Sequence, residues 1–474
     1  MNAQDTIAAI ATGASDAGIG IIRISGENAF GAASKLFRTP GGRSDISDFA
    51  PNTIHFGYIL ENGEVIDEVL LTVMKAPHSY TTEDTVEINT HGGVYVMNRV
   101  LELVLRCGVR LAEPGEFTKR AFLGGRIDLS RAEAVMDLIS SQSEFARKTA
   151  VAQLEGAISA RVRALREKIL YEIAFIESAL DDPENFSLDG YPEKLRETCE
   201  ALLAEMNELI LASRRGQTLK RGIRTVIAGK PNAGKSSLLN RLVGRERAIV
   251  TEIAGTTRDL LEETARIGNV QLCITDTAGI HETSDRIEQI GIDRAVRALH
   301  EAELVLFVAD SSEELTEEDR LVVRKIAQTA ECRSEAERIR CIAIRNKSDL
   351  GEKVSEQDMI RLIESEGLKA EHISCSMTTG DGLDRLESTI SELFRLGEIL
   401  ERNEVFLANA RQTQAMCEAA EAVSLTLESI DQGLSEDFYS IDLMNAYRSL
   451  GTIIGEAVED DLVEEIFSNF CLGK

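Results

Sequence analysis

The sequence predicts a multidomain chain of α/β plus all-α parts. An N-terminal α+β segment comes first, then a helical domain split in two, with a parallel-sheet α/β domain inserted between its halves. Three observations predict it. A GxxxxGKS run, Gly229–Ser236, opens a stretch where short apolar strands alternate with helical patterns. Long helical patterns flank that stretch, and all seven prolines lie at or before Pro231, so the second half is free to form long helices. Near the start, β-rich pieces such as Gly20–Ile24 and Val69–Met74 alternate with Gly, Pro and Asn turns.

The expected boundaries are 1–118 for the first domain, 119–215 and 379–474 for the helical halves, and 216–378 for the insert. Ser130 with Glu133 reads as a capping box opening one long helical run through Leu138, Leu154, Ile158 and Leu165 to Asp182-Pro183. More helix is expected from about Glu193 to Leu211. Strands are expected at Thr225–Ala228, Leu272–Thr275, Leu304–Ala309 and Cys341–Ile344. After Gly380 the pattern is helical, with Met444, Tyr447, Ile454 and Val458 on one face and Leu462, Ile466 and Phe470 on another.

Composition bounds the function. The 474 residues are 43% hydrophobic and 28% charged, which suits a folded soluble chain. A formal charge of −28 argues against coating nucleic acid by bulk attraction. No apolar run reaches the roughly eighteen residues of a membrane span. Met1–Ile10 lacks a basic region followed by a long apolar run. A cytoplasmic location with no membrane is expected. None of the eight cysteines stands in a CxxC or His/Cys cluster, so reduced thiols are expected rather than disulfides or zinc.

The GxxxxGKS run follows an expected strand and precedes a helix carrying Leu238, Leu239 and Leu242, the context a P-loop needs. Backbone N–H groups from Asn232 through Ser237 (Asn232, Ala233, Gly234, Lys235, Ser236, Ser237) would cradle phosphates at the helix N-terminus. Lys235 would reach the β- and γ-phosphates, and Ser236 would bind Mg²⁺. Asp276, Thr277, Ala278 and Gly279 close the next strand; Asp276 would hold a magnesium-bound water and Gly279 N–H would meet the γ-phosphate. Asn346, Lys347 and Asp349 end the strand Cys341–Ile344. A carboxylate there accepts two hydrogen bonds from guanine N1 and N2, a pair adenine cannot offer, so Asp349 selects GTP. Ser374, Cys375 and Ser376 would contact the guanine O6 edge. Thr257 is the natural second magnesium ligand, from a switch loop.

This ordered set resembles GTPases of the Era type over about residues 216–378. One departure matters. Ile280 follows Asp276–Gly279, where Ras-like enzymes have a water-orienting Gln, and no arginine finger is identifiable. Asn232 is therefore a candidate ligand for K⁺ beside the phosphates, unless it is only a loop residue. The carbonyls of Thr251, Glu252, Ile253, Ala254, Gly255 and Thr256 would contact the bound nucleotide and ion, with Thr251, Ile253 and Thr256 as its metal ligands. Glu288 is the candidate for positioning water; its alternative is a solvated helix charge.

Motifs outside this stretch carry a wider resemblance. They are Asp5–Ala9, Gly18–Gly26, Glu87–Gly93, Pro114–Phe122, Gly125–Leu129 and the terminus Phe470-Cys471-Leu472-Gly473-Lys474. In order and over the full length they are similar to the MnmE (TrmE) family of tRNA modification GTPases. The resemblance implies an N-terminal α+β folate-binding and dimerising domain, a split helical domain and an inserted Ras-like P-loop G domain. It implies a potassium-stimulated GTPase and a homodimer. With the FAD- and NADH-dependent partner MnmG (GidA), in a heterotetramer-like complex, it would add a carboxymethylaminomethyl-type group to C5 of the wobble uridine of certain tRNAs. The one-carbon donor would be 5-formyltetrahydrofolate or a related tetrahydrofolate. Arg23, Glu87, Arg126 and Lys474 match the folate-binding positions: cations for its carboxylates, and Glu87 for the pterin edge. The family often has Lys at the place of Arg126. Cys471 matches the family's terminal cysteine, which is either catalytic or a lining of the folate site; as a prenylation box its context is poor.

Residues 401–474 carry fifteen acidic and four basic side chains, so tRNA would need another surface. Lys119, Arg120 and the cluster Arg214, Arg215, Lys220, Arg221 and Arg224 are candidates, against a plain solvated linker. The rival functions are a ribosomal RNA assembly factor and a folate-binding aminomethyltransferase-like protein. The helical, acidic segment after Gly380 speaks against the first, and the complete nucleotide motifs against the second.

Overall fold

Period-two alternation builds the N-terminal sheet. The computed structural model describes residues 5–13, 15–141, 143–182, 184–245, 262–267, 270–276, 298–331, 339–394, 405–456, 460–468, 470 and 473. Its first seven strands are β1 (Ile7–Ile10), β2 (Ala17–Ser25), β3 (Phe37–Arg38), β4 (Thr53–Glu61), β5 (Glu64–Met74), β6 (Thr85–Gly92) and β7 (Arg110–Leu111). They pair in the order β3-β4-β5-β6-β2-β1-β7. Val69, Leu71 and Val73 of β5 are buried with Val86 and Ile88 of β6, whereas Leu70 between them is exposed. Helices α1 (Ala29–Leu36) and α2 (Val94–Arg106) share that core through Ala29, Ala33, Val100, Leu103 and Val104. β4 and β5 form a hairpin closed by Asn62-Gly63, both in the left-handed region at φ 51° and 88°. That dipeptide suits the turn that matches strand twist.

The helical texture begins with α3 (Glu116–Leu123), α4 (Leu129–Ile139), α5 (Glu144–Leu154), α6 (Ala157–Asp181) and α7 (Tyr191–Arg221). The expected single run is thus three helices. Gly156, at φ 91°, turns the chain into α6. The expected capping box is also not formed. Ser130 lies inside α4, and Asp128 Oδ1 accepts the Arg131 N–H at 3.1 Å. Glu133 instead accepts from Arg411 Nε at 2.9 Å and Gln412 Nε2 at 2.6 Å. α7 runs well past the expected end at Leu211 because its basic C-terminal turns continue the helical pattern.

Six strands form the second sheet: β8 (Ile223–Ala228), β9 (Glu262–Ile267), β10 (Val270–Asp276), β11 (Leu304–Asp310), β12 (Arg340–Asn346) and β13 (Glu371–Ser374), in the order β13-β12-β11-β8-β10-β9. All neighbours are parallel except β9, which pairs antiparallel with β10. Near-continuous apolar strands such as Leu304–Asp310 are buried throughout, as a parallel sheet covered on both faces requires. Helices α8 (Lys235–Arg245), α9 (Glu317–Glu331), α10 (Glu356–Ser365) and α11 (Leu383–Leu393) complete this part. Leu238, Leu239 and Leu242 of α8 are buried together, as their spacing predicts.

The last helices are α12 (Ala410–Asp431), α13 (Glu436–Ile454) and α14 (Asp460–Ser468). α13 packs on both α12 and α6. Its buried residues include Tyr439, Leu443, Ala446, Leu450, Ile453 and Ile454, so Ile454 of the expected face is buried while Met444 and Tyr447 lie at its margin. Met444 and Tyr447 are only half-buried, and the Arg166 guanidinium lies 4.0 Å from the Tyr447 ring centroid. Val458 and Leu462 fall outside what is described of their side chains. Two compact units result. One comprises Met1–Ile139, Val151–Ile210 and Leu407–Lys474; the other comprises Ser140–Ala150 and Leu211–Phe406.

Candidate active site

The P-loop occupies the turn between β8 and α8. Gly234 has φ 100°, and a Cβ there would stand 2.0 Å from Asn346 Nδ2, so this turn needs glycine. Asn232 is exposed and left-handed at φ 62°, a conformation asparagine tolerates. Ala233 is buried; Ser236 and Ser237 are exposed at the start of α8. Lys235 Nζ donates to the carbonyls of Gly229 and Lys230, both at 2.9 Å. The loop therefore places an ammonium, a helix N-terminus and exposed hydroxyls together, a suitable cradle for phosphates.

Parallel register brings the other elements alongside. Asp276 pairs with Ile227, so the end of β10 lies beside the strand that feeds the P-loop. Asn346 ends β12, and its Nδ2 donates to the Ala233 carbonyl at 2.8 Å while its Oδ1 accepts the Met377 N–H at 3.3 Å. Asp349 is exposed in a one-turn helix, and the buried Ser376 hydroxyl donates to its Oδ1 at 2.6 Å. That contact holds one carboxylate oxygen and orients the group. Arg241 of α8 donates to the carbonyls of Met377 and Thr378 at 2.9 and 2.8 Å, tying the Ser374–Ser376 turn to the P-loop helix. Cys375 is buried, and desolvation pushes its thiol up to about 11. The Ser374 hydroxyl donates to Glu352 at 3.2 Å.

Asn232, Ala233, Gly234, Lys235, Ser236, Ser237, Asn346, Lys347, Asp349, Ser374, Cys375 and Ser376 thus lie at the strand ends of one sheet. Thr251–Thr257, Thr277, Ala278, Gly279, Glu288, Cys471 and Lys474 lie outside the described residues, as does the Asp276 side chain. Sequence reasoning missed two contacts here. Lys347 Nζ lies 2.6 Å from Asp310 Oδ2, and Lys230 Nζ lies 3.3 Å from Asp319 Oδ2. Burial pushes the Asp310 carboxyl up, but the Lys347 ammonium and Ser312 outweigh it and hold it below the usual carboxylate range. Strand spacing in a Ras-like order would signal that the β11 end faces both loops, though not which side chains meet.

A second constellation lies in the N-terminal sheet. β2 and β6 pair with Arg23 opposite Glu87, and Arg23 Nε donates to Glu87 Oε1 at 2.7 Å. Two cations lie near the Tyr80 ring, with the Arg23 and Arg126 guanidinium carbons 5.6 and 4.9 Å from its centroid. Its hydroxyl is 2.9 Å from Thr118 Oγ1. A cavity of about 500 Å³ is lined by Met74, Pro77, His78, Ser79, Tyr80 and Arg126. The C-terminal turn also arrives here. Arg23 Nη1 donates to the Gly473 carbonyl at 3.5 Å, and Gly473, at φ 86°, packs so closely that a Cβ would stand 2.2 Å from the Ile10 carbonyl. Arg23, Glu87 and Arg126 are thus brought together, and the C-terminal turn that carries Lys474 reaches them through Gly473; Tyr80 was not foreseen.

The expected basic surface is corrected in part. The Arg120 side chain is only 11% exposed and pairs with Asp5, Glu83 and Glu116 at 2.7–3.0 Å, so it offers nothing to a nucleic acid. Arg224 pairs with Glu301 at 3.2 Å on the surface, and the side chains of Arg214 and Arg215 are not described. Among the described residues no helix is long and apolar enough to cross a membrane.

Comparison with known proteins names the family. Residues 6–126 match the model described as the GTP-binding protein TrmE N-terminus, and residues 129–471 match the MnmE helical domain. The tRNA modification GTPase MnmE of Lachnoclostridium phytofermentans is 47% identical over 470 residues, 99% of each chain. That of Enterococcus faecalis is 43% identical over 473 residues, 99% of this chain and 98% of its own. A crystal structure of Aquifex aeolicus Era is 30% identical over 35% of this chain and 55% of its own, with a TM-score of 0.27. Matched in both family models and at such identity over nearly its whole length, the chain belongs to the MnmE family of tRNA modification GTPases.

Proposed function

We propose that this GTPase hydrolyses GTP with Mg²⁺ and K⁺ and couples that reaction to building a carboxymethylaminomethyl-type group on C5 of the tRNA wobble uridine. The observation that carries the nucleotide half is the meeting of P-loop, Asn346 and Asp349 at the ends of one parallel sheet. Asp349 accepts guanine N1–H and N2–H, Lys235 takes the β- and γ-phosphates, and Ser236 with Thr257 holds Mg²⁺. The exposed oxygen donors Ser236 and Asn232 at the mouth of the loop suit hard cations. Asn232, with carbonyls of Thr251, Ile253 and Thr256, holds K⁺, which supplies the positive charge an arginine finger gives elsewhere. Glu288 positions water.

The second constellation fits a tetrahydrofolate, the one-carbon donor. Its cavity offers the exposed Arg126 cation, the Tyr80 ring and the adjoining Arg23–Glu87 pair for an aromatic ligand with carboxylates. Lys474 joins Arg23 and Arg126 as a cation for its tail, and Cys471 lines the same place. The chain acts as a homodimer with MnmG and tRNA, in the cytoplasm, and is organised as residues 1–118, 119–215 with 379–474, and 216–378. Supporting the homodimer, Ile54 and Phe56 of β4 and Leu70 of β5 are 64%, 44% and 47% exposed on the sheet face that also carries Arg23 and Glu87.

The test is the ratio of kcat/KM for GTP and ITP, which lacks the 2-amino group. Wild type should prefer GTP by at least about tenfold, and Asp349→Asn should erase that preference. An unchanged preference in Asp349→Asn would overturn the guanine assignment.

A further inference from the structure

Asp310 ends β11 and Asp319 lies in the first turn of α9, and this stretch of chain reaches both halves of the nucleotide site. At the first end, Asp310 is 4% exposed and lies 2.6 Å from Lys347 Nζ. Ser311 follows, and its N–H and hydroxyl both donate to the Asn346 carbonyl, at 2.9 and 2.8 Å. Lys347 sits between Asn346 and Ser348 in the left-handed region, at φ 63°. A lysine gains nothing from that conformation by itself. The ion pair and the Ser311 contacts hold the backbone there, and Asp349 is two residues further on.

At the other end, Asp319 is 0% exposed. Its Oδ2 accepts from the N–H and the hydroxyl of Thr316, both at 2.9 Å, which starts α9. The same oxygen lies 3.3 Å from Lys230 Nζ, and Glu313 stands 3.6 Å from that ammonium. Oδ1 is buried with no hydrogen-bond partner among the described residues. A carboxylate so buried needs its cation, and Lys230 is the P-loop residue whose carbonyl receives Lys235 Nζ. A path of contacts therefore runs from Asp319 through Lys230 to the phosphate-binding amine. A separate one runs from Asp310 through Lys347 to the base-reading turn.

We propose that Asp310 and Asp319 are positioning residues of the nucleotide site. Asp310 sets selectivity for guanine through Lys347, and Asp319 sets affinity for the phosphates through Lys230. The proposal rests on the guanine assignment of Asp349 made above.

GTP and ITP turnover by the full chain separates the two roles. Asp310→Asn should lower the GTP-over-ITP ratio of kcat/KM by about tenfold, as loss of one charge-assisted contact implies, with Asp310→Glu restoring part of it. Asp319→Asn should raise KM for both nucleotides by a common factor of about ten, leaving the ratio and kcat unchanged. Should Asp319→Asn not fold, the double variant Lys230→Gln with Asp319→Asn removes both charges without leaving one buried alone, and the same KM increase is expected. A purely structural role would lower the active fraction alone, with ratio and KM as in wild type, and would overturn the proposal. Asp349→Asn run beside these keeps the cases apart. If it loses selectivity while Asp310→Asn keeps it, the positioning role fails; if Asp349→Asn keeps it, the guanine assignment fails.

Discussion

The side-chain amide of Asn346 donates to the backbone carbonyl of Ala233 at 2.8 Å, joining the base-reading turn to the phosphate loop across 113 residues of sequence. Both groups are buried, and the other face of the same amide receives Met377 N–H. One side chain thus satisfies two backbone groups at once, and under the proposed guanine-nucleotide assignment recognition depends on it. Asn346→Ala leaves both unpaired in a dry site and should weaken GDP and GTP alike by about tenfold. Equilibrium titration with a fluorescent nucleotide checks it, and wild-type affinity would contradict it.

The Arg23–Glu87 pair predicts the behaviour of the second site. Glu87→Gln keeps the shape but removes the charge that orients Arg23. Binding of 5-formyltetrahydrofolate, followed by calorimetry, should weaken by about tenfold, while GTP turnover stays as in wild type. If folate binding were untouched, Glu87 would be only a partner for Arg23.

An apolar strand face predicts self-association. Phe56→Glu puts a charge at the middle of the Ile54–Phe56–Leu70 face and should shift the chain from dimer to monomer at micromolar concentration in sedimentation velocity. A variant that sediments as wild type would exclude this face.

Acid should loosen the N-terminal unit. The hydrogen bond from Arg110, helped by Arg120, holds the Asp5 carboxyl below the usual carboxylate range. Burial pushes Glu116 up, but Arg110, the Glu113 N–H and Arg120 outweigh it and hold it low as well. The folded state therefore binds fewer protons than the unfolded chain near pH 4, about where free carboxylates titrate. The stabilisation is present above that range and is lost as pH falls through the depressed values. The melting temperature of wild type should fall between about pH 5 and about pH 3, and Asp5→Asn should fall less steeply. Parallel curves would contradict the role of Asp5.

What could be read in advance was local. The P-loop is one short run between a strand and a helix, so Gly229–Ser236 announces its own geometry. Four of the six strands of the second sheet showed for a related reason, since strands buried on both faces are short unbroken apolar runs. Misreadings came where a distant partner decides. Ser130 and Glu133 have the spacing of a capping box, but Arg411 and Gln412 claim the Glu133 carboxylate from more than 270 residues away. Tyr447 carries an apolar ring at core spacing, yet it serves as the surface on which Arg166 stacks. The Arg23–Glu87 pairing depends on the register of β2 against β6, which one-residue steps would reverse and which no spacing reports. Asn62-Gly63, a dipeptide that favours the hairpin turn it forms, was a readable signal that went unread.

The central claim is that guanine-nucleotide turnover at the Asp349 site drives tRNA modification. Nucleoside mass spectrometry of bulk tRNA from cells depleted of this protein tests it most directly. The C5-aminomethyl-type wobble uridines should vanish on depletion, return with the wild-type chain and stay absent with Asp349→Asn. Their persistence after depletion, or their full return with Asp349→Asn, would contradict the account.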